Sequence, residues 1–165
     1  MKKNKGSFWK NNVKKIKKHR GKIPLFHCTG IEKKLNQIFE PTVKLESGGY
    51  IVINPTEALI SIDINSGQSI KEATIEKTAL KTNLEAAEEI SRQIKIRDLS
   101  GLIVIDFIDM LSFYNRRMVE KKLKEKLKDD RARIQFGRIS NFGLLEMTRQ
   151  RLRESSVKWN MILSI

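Results

Sequence analysis

The sequence has few of the residues that build disulfide, zinc or histidine-based sites. It holds one cysteine, Cys28, which excludes an internal disulfide framework and any zinc site made of paired thiolates. The two histidines, His19 and His27, fit a structural or solvated role better than a catalytic one. We find no phosphate-binding loop, dinucleotide fingerprint, Ser-His-Asp set or Cys-His set. The single cysteine favours a reducing, cytoplasmic location and no zinc.

Long hydrophobic runs are also missing. The longest, "GLIVI" and "YIVI", are far shorter than the roughly 20 apolar residues that cross a bilayer. The lysine-rich start lacks the apolar centre and small-residue cleavage site of a signal peptide. A chain of 165 residues with 39% hydrophobic content therefore fits one soluble globular domain without a transmembrane segment.

Acidic residues are absent from the first 22 positions, which hold ten Lys or Arg. The remainder has 23 basic and 19 acidic residues, so most of the net charge of +14 lies in this basic N-terminal arm. Such an arm suits a polyanion such as nucleic acid, because binding releases counterions. A solvated tail explains it equally well. The candidate RNA-binding residues of the arm are Lys14, Lys15, Lys17, Lys18 and Arg20.

The hydrophobic pattern predicts a mixed α/β fold: a mixed sheet with crossover helices. The elements expected are an extended segment at 23–26, a short helix over 31–39, a hairpin over 42–54, a strand at 58–65, a helix at 83–98, a strand at 102–106, a helix over 114–129 and a strand at 132–137. Thr82 or Asn83 is expected to cap the helix at 83–98, with Glu85 in its first turn. Segment 141–154 fits a strand or a helix.

Two predicted strands end in aspartate, "ISID" at Asp63 and "IVID" at Asp106. A strand–helix–strand crossover makes these strands parallel, so both carboxylates are expected at one sheet edge, roughly 5 Å apart if the strands are neighbours. Oxygen ligands favour Mg²⁺, with Mn²⁺ as a second candidate, and Asn65 shares a face with Asp63. The pattern permits metal-assisted attack of water on a phosphodiester. The more common alternative for such residues is a polar exit from a strand, and Asp109 reads as a cap or turn residue.

A second basic cluster follows the last predicted helix, in "RARIQFGRIS" and "EMTRQRLR". It could grip an RNA backbone, and a plain solvated face is equally compatible with it. Its arginines are Arg131, Arg133, Arg138, Arg149, Arg151 and Arg153, of which Arg133, Arg138, Arg149 and Arg151 are the candidate RNA-binding residues.

Three blocks resemble the ribonuclease E/G family of bacterial endoribonucleases: "SGGYIVINPTEALISIDINSG", "TNLEAAEEISRQIKIRDLSGLIVIDFIDM" and "DRARIQFGRISNFGLLEMTRQRLRES". The resemblance covers about residues 21–155. It implies a DNase I-like catalytic subdomain at 23–155, after the arm at 1–22 and before an unmatched tail at 156–165. It also implies that Asp63 and Asp106 bind the catalytic Mg²⁺ and that Asn65 orients Asp63. The expected activity is cleavage of single-stranded, AU-rich RNA in RNA processing and decay.

The resemblance also sets out what this sequence does not match. The family places an OB-type RNA-binding domain, a pocket for the 5′ end and a ribonuclease H-like subdomain before this region, and a cysteine-containing zinc link and a dimerisation domain after it. We therefore expect a fragment truncated at both ends: a split or decayed gene product, or a piece whose partner domains are encoded elsewhere. Homo-oligomerisation is left open. The alternatives are a non-catalytic RNA-binding remnant and an inactive gene fragment.

Overall fold

The computed structural model describes residues 18–67 and 75–152. The chain divides into two compact units, Met1–Phe39 and Glu40–Ile165. This division falls after Phe39 and does not test the predicted boundary after residue 22, which stays a prediction. The predictions for Lys14, Lys15, Lys17, Arg153 and the tail lie outside the described residues.

The described part of the first unit, residues 18–39, contains two short helices. Helix α1 spans Leu25–Cys28 and helix α2 spans Ile31–Gln37, separated by Gly30 with a left-handed φ of 69°. The prediction of an extended segment at 23–26 is wrong, because Pro24 precedes α1 as its N-cap and its carbonyl accepts from the amides of His27 and Cys28. Proline is tolerated at the start of a helix because it has no N–H that would be left without a partner there. The short helix predicted over 31–39 is confirmed as α2, two residues shorter, and ends before Pro41.

The second unit is built on a six-stranded mixed sheet in the order β1-β2-β3-β4-β6-β5. Its elements are β1 Thr42–Lys44, β2 Tyr50–Pro55, β3 Ile60–Asn65, α3 Ile75–Ile96, β4 Gly101–Asp106, α4 Phe113–Leu127, β5 Ile134–Phe136 and β6 Leu144–Arg149. Strands β3 and β4 are parallel, and the other pairs are antiparallel. This arrangement confirms the mixed α/β fold and the crossover between two parallel strands. Segment 141–154, which fitted either element, forms β6.

Among the described residues, the hydrophobic core lies on one face of the sheet. Alternate residues of the central strands, such as Ile62 and Ile105, are almost completely buried, and they form one cluster with the apolar residues of α3 and α4. The side chains between them lie on the other face, which we call the open face. Its members include Tyr50, Val52, Ser61, Asp63, Asn65, Val104, Asp106 and Leu144, all intermediate or exposed. Alternation along each strand thus separates the core from the face that carries both aspartates.

Helix α3 begins earlier than its sequence suggests. It starts at Ile75, so the prediction of a cap at Thr82 or Asn83 is wrong; both residues are buried in the middle of the helix. Glu85 is likewise not in the first turn, and its carboxylate accepts from the amides of Glu46 and Ser47 in the β1–β2 turn. Tertiary contacts explain polar residues that would otherwise favour a helix end.

Helix α4 agrees with its prediction to within two residues at each end. Ser112 is its N-cap, and the Ser112 hydroxyl accepts from the Asn115 amide at 3.4 Å. Among the described residues, no helix has the length and apolar content that crossing a membrane requires.

Candidate active site

Asp63 and Asp106 are register partners on the two parallel strands. Ile62 pairs with Ile105 and Asp63 with Asp106, and each aspartate is near or at the carboxyl end of its strand. Hydrogen-bonded strands lie about 4.8 Å apart, so these two side chains project from the open face next to each other. Both residues are exposed, whereas their neighbours Ile64 and Ile105 are buried. The predicted pairing of the two carboxylates at one sheet edge is confirmed.

Asn65 holds one of the carboxylates by a direct hydrogen bond. Its Nδ2 donates to Oδ2 of Asp63 at 2.8 Å. The two residues share a face because they are two apart in a strand. A carboxylate has two acceptor oxygens, and this hydrogen bond uses only Oδ2. The Oδ1 atom of Asp63 can therefore accept from, or coordinate, another partner.

Asp106 is electrostatically frustrated. Partial burial raises the pKa of its carboxyl above the ordinary value, and the negative charges of Asp63 and Asp109 raise it further. Each cause acts against the ionised form. A cation between the carboxylates would relieve the repulsion, so the site favours binding a positive charge.

Asp109 lies closer to this pair than its sequence position suggested. Oδ1 of Asp109 and Oδ1 of Asp106 stand 3.4 Å and 3.7 Å from the point where a Cβ on Gly143 would be. Gly143 has φ +80°, and the same Cβ would approach the Phe107 carbonyl oxygen to 2.7 Å. A glycine is therefore needed for the turn before β6 to pack against the loop that carries Asp106 and Asp109.

The loop after β4 is held by two residues of α3 whose roles were not predicted. Asn83 Nδ2 donates to the Ile108 carbonyl at 2.8 Å, and its Oδ1 accepts from the Ile108 amide at 3.0 Å. Glu76 accepts from the amides of Leu111 at 3.1 Å and Ser112 at 3.2 Å. The stretch that contains Glu76 was interpreted as a polar loop. Only apolar residues at helical spacing in that stretch could have revealed that Glu76 belongs to a helix.

The donor set fits a hard divalent cation. The two carboxylates offer oxygen ligands and the Asn65 amide orients one of them, while the described part of the chain contains no cluster of three His, Cys, Asp or Glu side chains suited to a complete metal cage. Mg²⁺ is commonly held by one or two carboxylates and keeps several waters or substrate oxygens. A soft metal would need sulfur or nitrogen donors, and none is among these residues.

Comparison with known proteins agrees with this geometry. The sequence model of the Ribonuclease E/G family matches residues 1–152. The chain belongs to the ribonuclease E/G family. It is 56% identical to ribonuclease E of Buchnera aphidicola subsp. Schizaphis graminum over 143 residues and 56% identical to ribonuclease E of Escherichia coli K12 over 141 residues. It is 40% identical to ribonuclease G of Escherichia coli K12 over 141 residues.

The matches to these ribonuclease E/G relatives are unequal in coverage. They take in 86–87% of this chain but only 15%, 13% and 29% of the three relatives in the order given. The chain thus spans less than a third of the length of each of these three relatives. The family match begins at residue 1, so it includes the basic arm as well as the sheet unit.

The predicted RNA-binding residues of this ribonuclease E/G chain divide into two groups. Arg149 is buried: its side chain is 2% exposed, Nε donates to Asp130 at 2.8 Å, and Nη1 donates to Asp98 at 2.7 Å and to the Leu99 carbonyl at 2.9 Å. The prediction that Arg149 contacts RNA is wrong, because alternation along β6 places this side chain on the core face. The other described candidates, Lys18, Arg20, Arg133, Arg138 and Arg151, are exposed.

The buried arginine fixes the charge states around it. Burial by itself raises the pKa of Asp130, but hydrogen bonds from Arg149 and from the Ala132 amide lower it below the ordinary value. Burial lowers the pKa of Arg149, while its bonds to Asp130 and Asp98 raise it by more. Arg149 and Asp130 are therefore charged at neutral pH, and the bonds of Arg149 to Asp130 and Asp98 tie β6 to the ends of α4 and α3.

Proposed function

We propose that this chain is the catalytic subdomain of a Mg²⁺-dependent endoribonuclease that cleaves single-stranded RNA in RNA processing and decay. The observation that carries the proposal is the in-register pair Asp63 and Asp106, with Asn65 bound to Asp63, in a chain of the ribonuclease E/G family. Exposed arginines around the sheet unit suit a phosphodiester substrate.

Each residue of the site has a distinct task. Asp63 and Asp106 would hold Mg²⁺, which when bound supplies charge stabilisation and a more acidic water for phosphodiester hydrolysis. Asn65 fixes the rotamer of Asp63, because its amide occupies one carboxylate oxygen. Asp109 adds negative charge beside Asp106 and so strengthens the attraction for a cation. Gly143 and Asn83 keep the loop between β4 and α4 in place.

The remaining parts of the activity belong to the same proposal. Further domains, whether in a longer chain or encoded separately, would position the RNA, since this chain spans 13–29% of the relatives described above. A DNase I-like subdomain, a cytoplasmic location and self-association are consistent with the family assignment. The exposed Arg133, Arg138 and Arg151 would contact RNA phosphates.

Cleavage of a labelled, AU-rich single-stranded RNA by the full chain in Mg²⁺ tests the proposal. We expect the wild-type chain to cut, and Asp63→Asn and Asp106→Asn to lose activity by at least two orders of magnitude, since each removes a ligand charge. Asp129→Asn is the matched control, because Asp129 is an exposed aspartate beyond the end of α4. It should cut as the wild type does.

Two other outcomes would replace the proposal. Salt-dependent RNA binding without cleavage, equal in all four proteins, would identify a non-catalytic RNA-binding module. A chain that neither binds RNA nor melts cooperatively would be an inactive fragment. Cleavage that survives both aspartate substitutions would place the activity elsewhere and contradict the assigned site.

A further inference from the structure

Two exposed aromatic residues lie on opposite sides of the aspartate pair. Tyr50 begins β2 and is the register partner of Asn65 on β3. Phe142 stands in the turn before β6, two residues ahead of Leu144, which is the register partner of Asp106. Because the strand order is β2-β3-β4-β6, Asp63 and Asp106 occupy the two strands between the aromatics. Tyr50 is 36% exposed and Phe142 is 82% exposed.

The two aromatics are at the same level of the sheet. Tyr50 pairs with a residue two positions beyond Asp63 towards the carboxyl edge. Strand β6 is antiparallel to β4, so two residues before Leu144 is likewise beyond Asp106 at that edge. Three strand spacings separate β2 from β6, about 14 Å. An extended single strand of a few nucleotides covers this distance with its middle at the aspartates.

The main chain around Phe142 is well fixed even though its ring is exposed. The Ser140 hydroxyl accepts from the amides of Phe142 at 3.2 Å and Leu144 at 3.3 Å, and the Ser140 amide donates to the Leu144 carbonyl at 2.8 Å. The Phe107 amide also donates to the Gly143 carbonyl at 3.1 Å. The ring buries little surface in this fold and so adds little to its stability. A turn whose backbone is fixed by hydrogen bonds, and which exposes an aromatic ring near Asp106, is suited to contact a ligand.

We propose that Tyr50 and Phe142 stack on unpaired bases on the two sides of the scissile phosphodiester. The proposal rests on the endoribonuclease function above and assigns the residues that position its substrate. Stacking uses the π-face that every base has, so this contact tolerates any sequence but requires an unpaired strand. Each aromatic would serve one flank, and the phosphodiester between the two bases would lie against Asp63 and Asp106.

Fluorescence of 2-aminopurine in the bound RNA tests this assignment. The cut site of the full chain is first mapped in Mg²⁺, and two RNAs are then made with the label on one or the other side of that site. Binding is measured with Ca²⁺ replacing Mg²⁺, and gels check that the RNA is intact. We expect quenching of both labels by wild type. Phe142→Leu should abolish it at one label and Tyr50→Leu at the other, each with about fivefold or greater loss of affinity.

The controls separate stacking from general apolar contact and from folding. Phe142→Trp and Tyr50→Phe should keep the quenching, because they keep a ring. Phe113→Leu should change neither label, since the ring of this exposed phenylalanine already faces the Arg117 guanidinium at 5.7 Å. All variants should melt like wild type, as neither aromatic is part of the core.

The outcomes also separate this proposal from the function on which it rests. If the wild type cuts RNA but both leucine variants leave both labels quenched, the endoribonuclease function stands and the stacking role is overturned. The same holds if both variants affect the same label, because the aromatics would then not flank the cut. A wild-type chain that neither cuts nor binds the labelled RNA would overturn both.

Discussion

The Asn65 side-chain amide donates to the Asp63 carboxylate at 2.8 Å, and the two residues are two positions apart on the open face of β3. This bond restricts the rotation of Asp63 while leaving one of its oxygens available. Residues that orient a metal ligand in this way affect metal affinity without binding the metal themselves.

The Asn65→Ala substitution should therefore weaken Mg²⁺-dependent cleavage by about 10- to 100-fold. The Mg²⁺ concentration at half-maximal cleavage should rise, while the melting temperature of the metal-free protein should change little, since a half-buried polar side chain outside the core is removed. Asn54→Ala is the matched control, because Asn54 is an exposed asparagine on the neighbouring strand β2. Equal Mg²⁺ dependence in the two variants would show that the Asn65–Asp63 bond has no part in metal binding.

Asp106→Asn should stabilise the metal-free protein at neutral pH while it abolishes cleavage. Burial and the charges of Asp63 and Asp109 raise the pKa of Asp106, so ionisation is less favourable in the folded chain than in the unfolded one. The stability contributed by protonated Asp106 is complete below the ordinary aspartate pKa and is lost as pH rises through the raised value. The melting difference between variant and wild type should thus be small near pH 3 and grow until Asp106 is ionised.

Added Mg²⁺ supplies the control for that experiment. A cation that binds the folded state raises the melting temperature of wild type by mass action, and the effect should disappear in Asp106→Asn. Asp129→Asn should retain it. A variant that melts below wild type at pH 7 without metal would mean that Asp106 contributes a favourable contact and not repulsion.

The sequence was sufficient for the site pair because a single rule connects it to the fold. Strands β3 and β4 are joined by a crossover helix and must therefore be parallel. The aspartates near their carboxyl ends consequently meet at one edge of the sheet. Polar residues inside helix α3 were predicted less well. Thr82 and Asn83 resemble a cap, and only the packed structure shows Asn83 bonded to a loop 25 residues away. Arg149 was likewise misplaced, because an arginine in a basic run gives no sign that β6 turns it to the core.

Gly143→Ala should reduce both stability and Mg²⁺ affinity. Its φ of +80° costs an alanine about 1–2 kcal/mol, and the new Cβ would stand 2.7 Å from the Phe107 carbonyl oxygen, so the loop carrying Asp106 must move. Gly101→Ala is the matched control, with φ +91° and nothing within 4 Å of its Cβ. Chemical denaturation should show a loss in both variants, larger for Gly143→Ala. Mg²⁺-induced stabilisation should weaken in Gly143→Ala alone.

Arg149→Met should destabilise the fold by about 3–5 kcal/mol, because it leaves Asp130, 4% exposed, without its charged partner. Urea unfolding measures this loss.

Arg138→Gln should leave stability unchanged and reduce the slope of log RNA affinity against log salt by about one, the expected effect of losing one phosphate contact. Reversed results, with a smaller salt slope for Arg149→Met and lower stability for Arg138→Gln, would place the RNA contact at the buried arginine.

Asn83 offers the sharpest test of the link between helix α3 and the site. It is completely buried, and it satisfies both backbone groups of Ile108, between Asp106 and Asp109. Asn83→Ala leaves an N–H and a carbonyl without partners, so we expect a loss of about 2 kcal/mol or more and weaker Mg²⁺ binding.

Asn83→Asp distinguishes the two hydrogen bonds from simple loss of volume. The aspartate has nearly the same shape and can accept from the Ile108 amide, but when ionised it presents an oxygen to the Ile108 carbonyl, which needs a donor. At pH 7 this variant should be at least as unstable as Asn83→Ala. Lowering the pH should protonate the new carboxyl and allow it to donate, so its stability relative to wild type at the same pH should recover. No recovery on acidification, in a variant that still folds, would mean that the bond to the Ile108 carbonyl does not hold the loop.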